Sequence, residues 1–150
     1  MDLKKALLLS FTLLFAAGSQ AQTTHKTKTL VKHTPVSFKA SMANGQKVFT
    51  QYCVSCHQAD GGGVPRMNPP LIKTTYVLGD RIKLIKIILN GFNEDVEING
   101  ETYSNTMASH DFLKDQEIAD VLTFVRNSFG NKAPAITIAQ VKAVRAGNKK

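Results

Sequence analysis

The chain has 150 residues, 43% of them hydrophobic, with a formal net charge of +8 and two cysteines. That length allows one small domain with a single core. The charge does not mark a nucleic-acid binder, because residues 41–131 carry 8 basic against 10 acidic side chains and no recognition motif accompanies the excess. The excess sits in two tails: four lysines and no acid in residues 22–40, five basic residues and no acid in residues 132–150. Plain solvation, or weak attraction to a membrane surface, is what such tails imply.

Residues 1–21 read as a signal peptide. Lys4 and Lys5 form a basic start, Ala6 to Ala17 an apolar run of twelve, and Ser19-Gln20-Ala21 a small-x-small cleavage site. Twelve apolar residues are too few to span a bilayer. Export to a bacterial periplasm is therefore expected, with a mature chain starting near Gln22 and an uncleaved anchor as the alternative. Residues 22–40, rich in Thr and Lys and containing Pro35, show no sustained period and read as a basic linker.

From Ser41 a helical pattern begins: Gly45, Val48, Phe49 and Tyr52 share one face that leads into Cys53-Val54-Ser55-Cys56-His57. CxxCH is the pattern for covalent attachment of a c-type haem. On one helical turn both thiols can reach the two vinyl groups of a porphyrin, and the adjacent imidazole turns inward to ligate the iron. A redox dithiol formed by Cys53 and Cys56 is the alternative, but the βαβ context it needs is missing. A zinc site would need a second Cys or His pair at set spacing. His25 and His33, in the linker, are ordinary solvated histidines unless one of them reaches that iron.

The segment NGQKVFTQYCVSCH resembles the opening helix of class I cytochromes c. Gly45 and Phe49 match the glycine and the aromatic that in that family pack against the last helix. Residues 58–79 follow, with Gly61-Gly62-Gly63 and three prolines, and form a long loop rather than a regular element. The resemblance implies that this loop covers the histidine side of the haem. There the carbonyl of Pro69 would accept the hydrogen bond of the His57 ring, and Leu71 would make the apolar contact that follows.

Asp80 begins a second helix, with Ile82, Ile85, Ile88 and Leu89 on its buried face and Asn90-Gly91 as its stop. Val96 to Tyr103 alternates on both sides of Asn99-Gly100, the signature of a two-residue β-hairpin, and Tyr103 is a candidate haem contact. Met107 comes next. Its thioether is a soft, neutral donor that favours ferrous iron, and the resemblance places the axial methionine in just such a loop before the last helix. Ala108 stands where the family usually has proline, which leaves the loop less braced. His110, Met67 and an open site are the rivals for this sixth position, and Met42 reads as packing or surface.

The last core helix is expected over Asp115 to Phe129, with Ile118, Val121, Leu122 and Val125 as its apolar stripe and Asp115 and Glu117 at its start. Phe124 matches the aromatic that meets Gly45 and Phe49, and Arg126 to Asn131 resembles the family's ending. A basic C-terminal extension, residues 132–150, carries a short helix over Thr137 to Arg145 with Ile138, Val141 and Val144 on one side.

The resemblance covers residues 41–131. It implies an all-α fold of helices around one covalent haem c, with a short β-hairpin, Cys53 and Cys56 as attachment sites, and His57 and Met107 as iron ligands. The function it implies is transfer of single electrons between periplasmic or membrane-bound redox proteins of a respiratory chain, as a monomer or a complex subunit. No enzyme is expected, since the carboxylates Glu94, Asp95, Glu97 and Glu101 around the hairpin lie in no catalytic constellation. The alternative is a haem sensor or ligand-binding module with a labile sixth ligand.

Overall fold

The computed structural model describes residues 36–148. The segment read as a signal peptide, residues 22–35 of the expected linker with His25 and His33, and the terminal Lys149 and Lys150 lie outside the described residues. The elements in order are α1 (Phe38–Tyr52), α2 (Val54–His57), α3 (Thr75–Leu78), α4 (Arg81–Asn90), β1 (Val96–Ile98), β2 (Glu101–Tyr103), α5 (Asp115–Asn127) and α6 (Ile138–Gly147). No helix among the described residues is long and apolar enough to cross a membrane.

α1 starts at Phe38, ahead of the expected Ser41, because the Ser37 hydroxyl accepts from the Ala40 N–H and caps the first turn. Its apolar face crosses α5 closely. A Cβ on Gly45 would collide with the Asp120 backbone carbonyl and stand 2.7 Å from the Phe124 Cβ. The Phe49 ring lies 5.5 Å from that of Phe124 and 5.3 Å from that of Phe129, so three aromatics close the crossing. Asp120, buried in the same contact, accepts hydrogen bonds from the Ser41 hydroxyl and, at 2.8 Å, from Gln116 Nε2.

α5 stops at Asn127, two residues before the expected Phe129. Ser128 is extended and Phe129 takes a positive φ of 57°, which turns its ring back onto Phe49 and Phe124. The long loop contains one element that its Gly and Pro content hides. Thr74, buried, caps α3 by accepting from the Val77 N–H at 3.2 Å. α4 begins at Arg81 under an Asp80 cap and ends at Asn90, with Gly91 as its C-cap. It buries Leu84, Ile85, Ile88 and Leu89, but Ile82 is 55% exposed, contrary to expectation. Ile82 has the right angle on the helix, yet it stands in the first turn, beside a surface depression between α4 and α6 where the core ends.

β1 and β2 pair antiparallel with Val96 opposite Tyr103 and Ile98 opposite Glu101. Asn99 and Gly100 both have positive φ, the turn that matches the right-handed twist of a two-residue hairpin. α6 is no loose tail. Thr137 and Gln140 form a reciprocal capping box, and Val141, Val144 and the preceding Ile136 are buried against α4 and α5. Arg126, also buried, donates from Nη1 to the Val77 carbonyl at 2.6 Å and from Nε to the Pro134 carbonyl at 3.0 Å. One guanidinium thereby ties α5 to α3 and to the approach of α6.

Candidate functional site

A cavity of about 350 Å³ opens between α1, α4, α5, the long loop and the hairpin, within the size range of small-molecule and cofactor sites. Its walls are mainly apolar. Phe49 and Tyr52 come from α1, Leu84 and Ile88 from α4, and Val121, Leu122 and Val125 from α5. The hairpin turns Val96, Ile98 and Tyr103 inward, and Tyr103 is only 8% exposed. Leu71 and Pro69 line the loop side.

Cys53 and Cys56 both border this cavity, Cys53 half-buried and Cys56 exposed. α2 follows directly from α1, so the motif forms a single turn that presents both sulfurs and His57 to one space. Burial, reinforced by the neighbouring Cys56, pushes the Cys53 thiol up to about 11. Such a thiol is neutral at physiological pH, unlike a thiol activated as a nucleophile.

His57 Nδ1 lies 3.0 Å from the Pro69 carbonyl oxygen. A carbonyl can only accept, so the ring proton sits on Nδ1 and the Nε2 lone pair is left free for a metal. Burial lowers the pKa of this imidazole, the Pro69 hydrogen bond opposes that, and His110 lowers it further. The neutral form, the one that binds iron, is favoured. The loop keeps Pro69 in place through two backbone bonds: Gly63 N–H donates to the His57 carbonyl at 3.0 Å, and Leu71 N–H to the Gly61 carbonyl at 2.8 Å.

Met107 lines the same cavity, held by a two-way backbone bridge with Phe92, at 2.7 Å from its N–H and 2.9 Å to its carbonyl. Gly91 makes the bridge possible. It has φ +76°, and a Cβ there would collide with the Met107 carbonyl. Of the rivals for this position, Met67 is 50% exposed and is not part of the cavity wall, while His110 is, with its Nδ1 2.9 Å from the Ala108 carbonyl. Thus every residue singled out in the sequence as a haem contact, Cys53, Cys56, His57, Pro69, Leu71, Tyr103 and Met107, borders one cavity. Phe92 and Thr74, which also border it, carry no motif that would have found them.

The donor set fits covalent haem c: two thiols at an attachment spacing, an imidazole with Nε2 free, a thioether, and an apolar wall around them. Among the described residues no group of three or more His, Cys, Asp or Glu side chains could hold a separate metal ion.

Comparison with known proteins agrees with this chemistry. The family model described as cytochrome c matches residues 42–129. The chain is 34% identical over 115 residues to cytochrome c-552 of Thermus thermophilus, an alignment covering 71% of this chain and 77% of that protein. It is 36% identical over 111 residues to the cytochrome c subunit of a quinone alcohol dehydrogenase from Gluconacetobacter polyoxogenes, covering 67% of this chain but 22% of that subunit. The cytochrome c subunit of gluconate 2-dehydrogenase from Pantoea cypripedii is 32% identical over 105 residues, with 67% and 24% covered. The chain belongs to the cytochrome c family, as a monohaem class I cytochrome c that binds haem c covalently and carries electrons without being itself catalytic.

Proposed function

We propose that this chain is a periplasmic carrier of a respiratory chain, with haem c held by Cys53 and Cys56 and its iron ligated by His57 and Met107. The supporting observation is that an imidazole with a free Nε2 and a thioether from a separate segment border one apolar cavity, beside the two thiols. When bound, haem c supplies a one-electron couple at iron.

The chain's own residues set how that couple behaves. The Pro69 carbonyl orients the His57 ring and would strengthen its donation to a bound iron, and the neutral Met107 thioether would favour the ferrous state and raise the potential. Apolar walls from α4, α5 and the hairpin keep water from the ligands. The backbone bridge at Met107 and the tie at His57 restrain both donors, so little rearrangement accompanies a change of charge. Cys56 is exposed, which leaves the attachment edge open to a partner.

The partners we assign are periplasmic or membrane-bound redox proteins, met in small and short-lived contacts. The similarity to cytochrome subunits of dehydrogenases supports a donor of that class. The leader in residues 1–21 supports the location, and cell fractionation of the expressed protein tests it.

The test of the site is optical. Oxidised protein is expected to show the weak long-wavelength band of sulfur bound to ferric haem, and Met107→Ala to abolish it. Haem without that band, together with carbon monoxide binding to the reduced protein, would refute the carrier reading and favour a sensor with a labile sixth position.

A further inference from the structure

We infer that Arg145 and Asn148, at the end of α6, are positioning residues for the sixth ligand: they clamp the segment that carries Met107 and so set how readily its sulfur leaves the iron. The inference rests on the assignment of Met107 as that ligand. It concerns a helix outside residues 42–129, the part of the chain that the family model matches.

The Met107 segment has no regular structure of its own, and Ala108 fixes no backbone angle as a proline would. Its order comes from two helices. Toward α4, the Met107 bridge to Phe92 is continued by Ser109 Oγ, which donates to the Leu89 carbonyl at 2.7 Å, and by the His110 N–H, which donates to the Ile88 carbonyl at 2.8 Å. Toward α6, the whole fork of Arg145 is engaged. Nη1 donates to the Asp111 carbonyl at 2.9 Å, Nη2 to the Leu113 carbonyl at 2.7 Å, and Nε pairs with Asp115 Oδ1 at 2.7 Å.

The α4 anchor is itself tied to α6. Asn90 and Asn148 exchange side-chain hydrogen bonds in both directions, at 3.1 and 2.7 Å, joining the two helix ends. α6 therefore holds both sides of the ligand segment: its exit through Arg145 and its support through Asn148. Half-burial of the Arg145–Asp115 pair protects it from the screening that weakens exposed pairs. Any movement of the sulfur that carries its backbone along separates residues 107–113 from α4, α6 or both.

The experiment uses the ferric holoprotein and imidazole as the entering ligand. The limiting rate of imidazole binding at saturation reports opening of the sixth position, and hydrogen exchange of the amides of residues 107–113 reports the segment directly. Arg145→Gln removes three charge-assisted hydrogen bonds and is expected to raise the limiting rate about tenfold or more, with faster exchange confined to that segment. Arg145→Lys, which keeps the charge but loses the fork, should resemble Gln, and Asn148→Ala should give a smaller rise. Lys142→Gln, exposed on the same helix, is the control and should leave the rate unchanged.

A limiting rate within about twofold of wild type in both Arg145→Gln and Asn148→Ala, with the sulfur band intact, overturns the inference while leaving Met107 as the ligand. So does a lowered melting temperature with no change in rate or local exchange, since that is the signature of a purely structural helix. A sulfur band absent from the wild type, or retained in Met107→Ala, overturns the ligand assignment and with it this inference, and is seen before any Arg145 variant is made.

Discussion

Gly45→Ala tests whether the α1–α5 crossing holds the domain together. The added Cβ would meet the Asp120 carbonyl and Phe124 Cβ, backbone and near-backbone atoms that cannot swing aside as the tip of a long side chain could. Overpacking of this kind costs about 1–3 kcal/mol, and contact with backbone puts this case at the upper end. Alanine regains about 1 kcal/mol of helix propensity over glycine, leaving a net loss of about 2 kcal/mol. For a domain of this size that corresponds to a fall of roughly 10 °C in Tm. The assay is thermal unfolding of the holoprotein followed by circular dichroism, with the sulfur-to-iron band recorded in parallel, since α1 also carries Phe49, Tyr52 and the approach to Cys53. Ala43→Gly, at an exposed position of the same helix, calibrates the propensity term and should cost about 1 kcal/mol. A Gly45→Ala protein as stable as wild type, or more so, would refute the reasoning, because the crossing would then have room for a methyl group.

Two further outcomes follow from the buried polar groups. Arg126→Met should destabilise the protein by about 3 kcal/mol in urea unfolding, because the Val77 and Pro134 carbonyls lose a charged donor; a loss under about 0.5 kcal/mol would mean that water replaces it. In the haem-free chain, His57 gives a pH dependence of defined sign. Its folded-state pKa lies below the ordinary 6.5, so as pH falls the unfolded chain takes up the proton first. Its contribution is thus complete above about pH 6.5 and is lost as pH drops through the folded value. In the haem-free chain, an NMR titration of the His57 ring should show a midpoint below about 6.5; a midpoint at or above the ordinary imidazole value contradicts this.

Much of the site was readable because short motifs carry their own geometry. Cys53 to His57 is one helical turn, so its spacing alone places both sulfurs and the ring together, and Asn99-Gly100 names its turn because few other pairs accept two positive φ angles. The place of Pro69 and Met107 beside the cavity was legible only through resemblance, since no local pattern says which distant carbonyl meets His57 or which sulfur borders the same space. α3 escaped notice because one turn among glycines and prolines shows no period. Its existence depends on the buried Thr74 cap and on the Arg126 bond to Val77, both set by tertiary contact. Ile82 shows the converse failure: its helical angle is right, but periodicity does not say where along the axis the core ends. Arg145 read as one more tail charge until its guanidinium was seen facing two carbonyls and Asp115.

The α1–α5 crossing also decides what the chain can survive. Everything that lines the cavity between His57 and Leu113 hangs as one long excursion between two helices that grip each other directly. A protease cutting at Asn99-Gly100, the exposed tip of the hairpin, would divide the domain into two fragments. One would keep Cys53, Cys56 and His57, the other Met107, and each would retain one partner of the Gly45–Asp120–Phe124 contact. The two fragments would still meet at that crossing, so cleavage at the tip need not part His57 from Met107.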